Sequence, residues 1–175
     1  STSLSTNRYS MADHESIRKL AAALVNDMAE AGKAVATAES CTGGWISKAI
    51  TDIPGSSAVF HYGVVSYSNG AKEHILGVKN DTIESAGSVS EAVVREMAEG
   101  AINLSGADIA VALSGIAGPG GGTDEKPVGT VWFAWAVRDG GKIRTDITLK
   151  NFDGDRELIR ELPVVQALQG ALDRL

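Results

Sequence analysis

The chain has 175 residues, 43% of them hydrophobic and 22% charged, with a formal net charge of −6. That length suits one domain with a sizeable core, and the composition is that of an ordinary globular protein. The acidic balance argues against a sequence-independent grip on nucleic acid, which needs a basic face, and no run reaches the roughly 18 apolar residues of a membrane span.

One cysteine permits no internal disulfide, which suits a reducing cytoplasm, and with three scattered histidines it offers no zinc spacing. No metal or cofactor is expected. Ser1 to Ser10 are Ser/Thr-rich and aperiodic and lack the apolar stretch of a signal peptide. They read as a disordered tail or cloning remnant, with the domain occupying 11–175.

Asp13 is placed to cap a first helix, with Ile17, Leu20, Ala21, Leu24, Val25 and Met28 at helical spacing and Gly32 closing it. A short strand is expected over 33–38 and a second helix over 43–51, ended by Pro54-Gly55. Residues 59–67 are β-branched and aromatic and predict a strand, with Gly63 inside as a bulge position. Ser68-Asn69-Gly70 is a turn, and 71–76 a short helix stopped by Gly77.

The stretch through Gly87 reads as a loop. Ser90 then caps a strong helix with Val93, Val94, Met97, Ala98, Ala101 and Ile102 on one face. Residues 108–113 are almost continuously apolar, as in a strand covered on both faces. The glycine-rich loop Ser114–Pro127 follows. The runs 129–137 and 142–149 flank Asp139-Gly140-Gly141, a hairpin signal. A last helix begins near Asp155, and Pro163 is expected to kink or divide it. The alternation predicts one three-layer α/β domain, a mixed sheet with helices on both faces.

Two loops are rich in small residues: the turn Ser40-Cys41-Thr42-Gly43-Gly44 and the loop Ser114–Pro127, with five glycines and two prolines. Both follow predicted strands, so both can lie at the carboxyl edge of one sheet, where open α/β folds bind ligands. Neither carries the dinucleotide or P-loop pattern. The turn at Ser40, read alone, is an anion cradle at a helix start or a nucleophile. Lys72 follows a strand end and reads either as a solvated lysine, the default for its type, or as a general base. A base role requires burial or nearby positive charge to lower its pKa from about 10.4. Cys41 reads as a buried filler, the histidines as structural or exposed, and Arg156 and Arg160 as a solvated helix face or an anion fork.

Taken together, Ala38–Gly44, Pro54–Ser57, Val65–Asn69 with Lys72, Gly87–Ser90, Ser114–Pro119 and Glu125–Val131 closely resemble the CinA C-terminal-domain family over about Met11 to Leu175. That family includes stand-alone nicotinamide-nucleotide amidases. The resemblance implies hydrolysis of nicotinamide mononucleotide to nicotinate mononucleotide and ammonia, by a metal-free serine/lysine mechanism, in pyridine-nucleotide salvage.

By motif, Ser40 would be the nucleophile, Lys72 its base, and Tyr67 a proton relay or orienting group. Thr42, Gly43, Gly44, Ser114, Gly115, Ile116, Ala117, Gly118 and Arg156 would contact substrate or oxyanion. The implied partner is a small nucleotide substrate, not nucleic acid or membrane, and a homo-oligomer is expected. The alternative is a catalytically silent nucleotide-binding or regulatory domain. Larger family members carry an N-terminal domain with its own nucleotide chemistry, and that activity is not carried over to this chain. Pro163 departs from the continuous helix expected of the family.

Overall fold

The structure, a computed structural model, describes side chains for residues 14–175. The expected tail at 1–10 and the cap at residue 13 lie outside those described residues. The elements are α1 (Thr2–Ala31), β1 (Val35–Glu39), α2 (Trp45–Thr51), a 3₁₀ turn at Ser56–Ala58, β2 (Phe60–Val65), α3 (Asn69–Leu76), α4 (Asn80–Ala86), α5 (Glu91–Ser105), β3 (Ile109–Gly115), β4 (Thr130–Asp139), β5 (Lys142–Asn151) and α6 (Arg156–Leu172).

The strands form one mixed sheet in the order β2-β1-β3-β4-β5. β1 runs parallel to β2 and β3, whereas β4 is antiparallel to β3 and β5. Strand alternation sorts the two faces by size. Val35, Ile109, Val111, Leu113, Val131, Phe133 and Trp135 pack with α1, α2 and α6. Their opposite-facing neighbours are almost all alanine: Ala36, Ala38, Ala110, Ala112, Ala134 and Ala136. A surface of methyl groups lets α5 lie close, and α5 fills the space with Val93, Val94, Met97 and Ile102, all fully buried. Burying each such larger side chain stabilises the fold by about 1.5–3 kcal/mol. The three-layer α/β expectation holds.

Element boundaries shift by a residue or two, and three local expectations change. Residues 80–86 form α4 rather than loop; only Ile83 of this segment is buried, so it lacks the apolar stripe by which a helix is recognised. The register irregularity of β2 falls at His61, since Val35 pairs with Phe60 and Ala36 with Tyr62. Gly63 serves close approach instead: a Cβ there would sit 2.6 Å from Thr37 Oγ1 and 2.8 Å from Ser47 Oγ. Pro163 does not divide the last helix, which runs unbroken through it. Ile159, Val164, Ala167, Leu168 and Ala171 hold α6 to the core on both sides of the proline, which compensates for the one lost N–H donor.

The parallel strands β1 and β2 end level, at Glu39 and Val65, and β3 points the same way and runs on to Gly115. The segments that leave them therefore converge on one edge of the sheet.

Candidate active site

Two of those segments meet around a buried amine. Ser40 follows β1, Ser66 and Tyr67 follow β2, and Ser68 starts α3 by accepting the Ala71 N–H at 3.1 Å. That cap sets the helix phase that sends Lys72 back under the strand ends. Lys72 is only 1% exposed. Its Nζ lies 3.0 Å from Ser40 Oγ, 2.8 Å from the Ser66 carbonyl and 3.1 Å from the Tyr67 carbonyl. No carboxylate stands among these contacts. Burial lowers the Lys72 pKa from 10.5 to about 8, opposed by the Cys41 thiol. Cys41 itself is pushed up to about 12, first by burial, so its thiol is protonated and inert at neutral pH.

A cavity of about 310 Å³ opens above this pair, lined by Ser40, Lys72, Tyr67, Ser114 and the Gly115–Gly118 segment, with Arg156 at its side. Its size is at the lower end of the roughly 300–1,000 Å³ common for small-molecule sites. Arg156 donates to the Gly118 carbonyl at 2.7 Å and lies 3.4 Å from the Tyr67 hydroxyl. It thereby ties α6 to the glycine-rich loop and to the β2 exit. Tyr67 is 62% exposed, and its phenol approaches Arg156, while its main-chain oxygen serves Lys72.

The residues singled out in the sequence fall into two groups. Ser40, Lys72, Tyr67, Ser114, Gly115, Ile116, Ala117, Gly118 and Arg156 share the cavity. Thr42, Gly43 and Gly44 line a separate cavity of about 610 Å³ behind the turn, with Trp45, Arg18 and Arg160. The Thr42 hydroxyl donates to Glu39, the Gly43 N–H to the Ser40 carbonyl, and the Ile116 N–H to the Thr130 carbonyl.

Ser88 and Val89 also line the cavity with Ser40 and Lys72, and the Ser66 carbonyl accepts from Lys72 Nζ. Ser88 and Val89 lie inside the family motif Gly87–Ser90, and Ser66 inside Val65–Asn69; position within those motifs is their only signal in the sequence. Glu39, inside the motif Ala38–Gly44, is wholly buried and accepts four hydrogen bonds.

The fold and site define a three-layer α/β protein with a buried serine–lysine pair at the carboxyl edge of a mixed sheet. The CinA C-terminal domain family matches residues 17–175, and the chain belongs to that family. Nicotinamide-nucleotide amidohydrolase PncC of Enterobacter agglomerans is 57% identical over 138 residues, covering 79% of this chain and 82% of that protein. The PncC protein of Escherichia coli K12 is 55% identical over 139 residues, with the same coverage. A CinA-like protein of Akkermansia muciniphila is 55% identical over 151 residues, and there the chain spans only 36% of the relative's length. Among solved structures, the competence damage-inducible protein A of Klebsiella pneumoniae superposes with a TM-score of 0.85 at 40% identity, covering 90% of this chain and 96% of that one. No described helix is long and apolar enough to cross a membrane.

Proposed function

We propose that this chain is an amidohydrolase that converts nicotinamide mononucleotide to nicotinate mononucleotide and ammonia, within pyridine-nucleotide salvage. The relatives named for that activity support the substrate, and the surroundings of the Lys72 amine carry the mechanism. A neutral amine has two N–H donors and one lone pair. The Ser66 and Tyr67 carbonyls, at 2.8 and 3.1 Å, accept both donors. The lone pair is left facing Ser40 Oγ at 3.0 Å. A lysine so held is poised to take a proton from serine, and burial makes the neutral form accessible.

Ser40 Oγ attacks the carboxamide carbon as its proton passes to Lys72 Nζ. Main-chain N–H groups bordering Ser40 receive the oxyanion. Collapse of the tetrahedral intermediate breaks the C–N bond, and Lys72 returns the proton to the departing nitrogen, which leaves as ammonia. Water then enters, gives its proton to Lys72 and adds to the ester. Ser40 recovers a proton as the acid leaves. Ser114 and the Gly115–Gly118 backbone hold the ring and ribose, and Arg156 is the cation that faces the phosphate.

The test is ammonia release from nicotinamide mononucleotide by the wild type, Ser40→Ala and Lys72→Ala. Turnover by the wild type alone supports the reading. A fully active Ser40→Ala, or an inactive wild type, overturns it.

A further inference from the structure

The charge at position 39 does no chemistry in this scheme, yet it is the most heavily bonded side chain near the nucleophile. Glu39 ends β1 with none of its surface exposed. Oε1 accepts from the Thr42 hydroxyl at 2.7 Å and the Ile46 N–H at 2.8 Å. Oε2 accepts from the Ser47 N–H at 3.0 Å and the Ser47 hydroxyl at 2.7 Å. The α2 start is thus closed by a carboxylate that reaches forward from the strand before it, and its positive dipole end is neutralised there.

The main chain of the same residue works on the other side. The Glu39 carbonyl accepts the Ser66 N–H at 2.8 Å and the Ser66 hydroxyl at 3.3 Å. The Ser66 carbonyl in turn receives Lys72 Nζ. Ser40 is the next residue along the chain. One residue therefore fixes the turn that carries the nucleophile and the peptide that holds its base.

We infer that Glu39 is the positioning residue of the serine–lysine pair, an inference that rests on the proposed roles of Ser40 and Lys72. It acts through the turn and touches neither substrate nor reacting atoms. All four of its partners are donors, so the group at 39 must accept at both oxygens. A carboxamide cannot: whichever side its nitrogen takes, it meets a main-chain N–H, from Ile46 or from Ser47. Glu39→Gln therefore keeps size and shape but forces the turn off its geometry.

The experiment compares wild type and Glu39→Gln in two ways on folded protein, checked by circular dichroism. One is kcat and KM for ammonia release from nicotinamide mononucleotide. The other is the rate at which a fluorophosphonate modifies Ser40, read by mass. Misplacement on the scale of an ångström predicts a kcat about 100-fold lower. KM should stay within a few-fold, and Ser40 modification should slow in step with kcat.

A residue that merely stabilises the fold would leave both rates of the folded protein unchanged, and that result overturns the inference. If the wild type releases no ammonia, the substrate assignment fails, while the labelling comparison still decides the role of Glu39. If Glu39→Gln does not fold, the double variant Thr42→Val/Ser47→Ala carries the test. It removes the two hydroxyl donors and keeps both main-chain bonds. Labelling about 5-fold slower is expected from the lost bonds; labelling at the wild-type rate overturns the inference.

Discussion

Lys72 Nζ stands 3.0 Å from Ser40 Oγ with two main-chain carbonyls on its other sides and no carboxylate in contact. A lysine in this setting is tuned by burial rather than by a neighbouring charge, and burial of a cation lowers its pKa. The consequence for rate follows from the neutral fraction. With a pKa of about 8, roughly one molecule in ten has the free amine at pH 7, against about one in 3,000 at the model-peptide value.

The first prediction concerns the pH–rate profile. kcat/KM for ammonia release should climb close to tenfold per pH unit below pH 8 and level off above it. Lys72→Ala should lose activity by several orders of magnitude. An acid limb near pH 6 in the wild type would identify a different base.

The same shift makes the site costly to fold. The folded pKa lies below the unfolded one, so between about pH 8 and 10.5 the unfolded chain holds a proton that the folded chain has shed. Stability therefore rises with pH through that window, and the full cost, about 3 kcal/mol, is present below pH 8. Cys41 works in the opposite sense: its folded pKa is raised from 9.0 to about 12, so stability falls as pH rises above 9. The interval from pH 8 to 9 belongs to Lys72. Urea titrations should show the wild type gaining about 1 kcal/mol on Lys72→Met across that unit. A flat difference between the two proteins would remove the depressed lysine from the account.

The sequence carried some of this and hid the rest for physical reasons. Apolar periodicity located α1 and α5, a nearly continuous apolar run located β3, and glycine and proline marked the turns between elements. The alanine face of the sheet was written in β1, β3 and β4, at Ala36, Ala110 and Ala134, but only pairing shows that these residues share a surface. Ser40 and Lys72 were legible as motif members, whereas the burial of Lys72 depends on strand ends that converge from distant parts of the chain. Glu39 was legible only as a member of the motif Ala38–Gly44, because a carboxylate in an apolar run looks like a strand terminus until its donors on α2 are seen. As a divider of the last helix Pro163 misled in the other direction, since tertiary packing of α6 outweighed one missing hydrogen bond.

Close packing between α3 and α5 gives a prediction remote from the cavity. A Cβ on Gly100 would fall 1.9 Å from the Leu76 carbonyl oxygen and 2.8 Å from its carbon. Backbone cannot yield as a flexible side chain does, so Gly100→Ala must push the end of α3 away from α5. Lys72 lies one turn earlier on that helix, and its carbonyl receives the Val78 N–H. The substitution should cost about 1–3 kcal/mol by overpacking. It should also lower kcat in protein that remains folded, because the proposed base moves with its helix. Denaturant titration and steady-state kinetics on one preparation would check both. Unchanged stability would show that the two helices tolerate separation here.

Arg156 is the last case, and it separates binding from chemistry. Its guanidinium bridges the Gly118 carbonyl and the Tyr67 hydroxyl at the side of the cavity, away from the Ser40–Lys72 contact. An arginine fork makes both contacts at once and still presents N–H groups to an anion; a lysine offers one point charge and cannot bridge. If the fork holds the nucleotide phosphate equally in ground and transition states, its loss raises KM and spares kcat. Arg156→Ala should therefore raise KM for nicotinamide mononucleotide at least about tenfold with kcat within a few-fold, and Arg156→Lys should recover only part of the loss. Free nicotinamide, which lacks the phosphate, should be hydrolysed equally poorly by all three proteins. A fall in kcat with KM unchanged would place Arg156 in transition-state stabilisation and remove it from the phosphate.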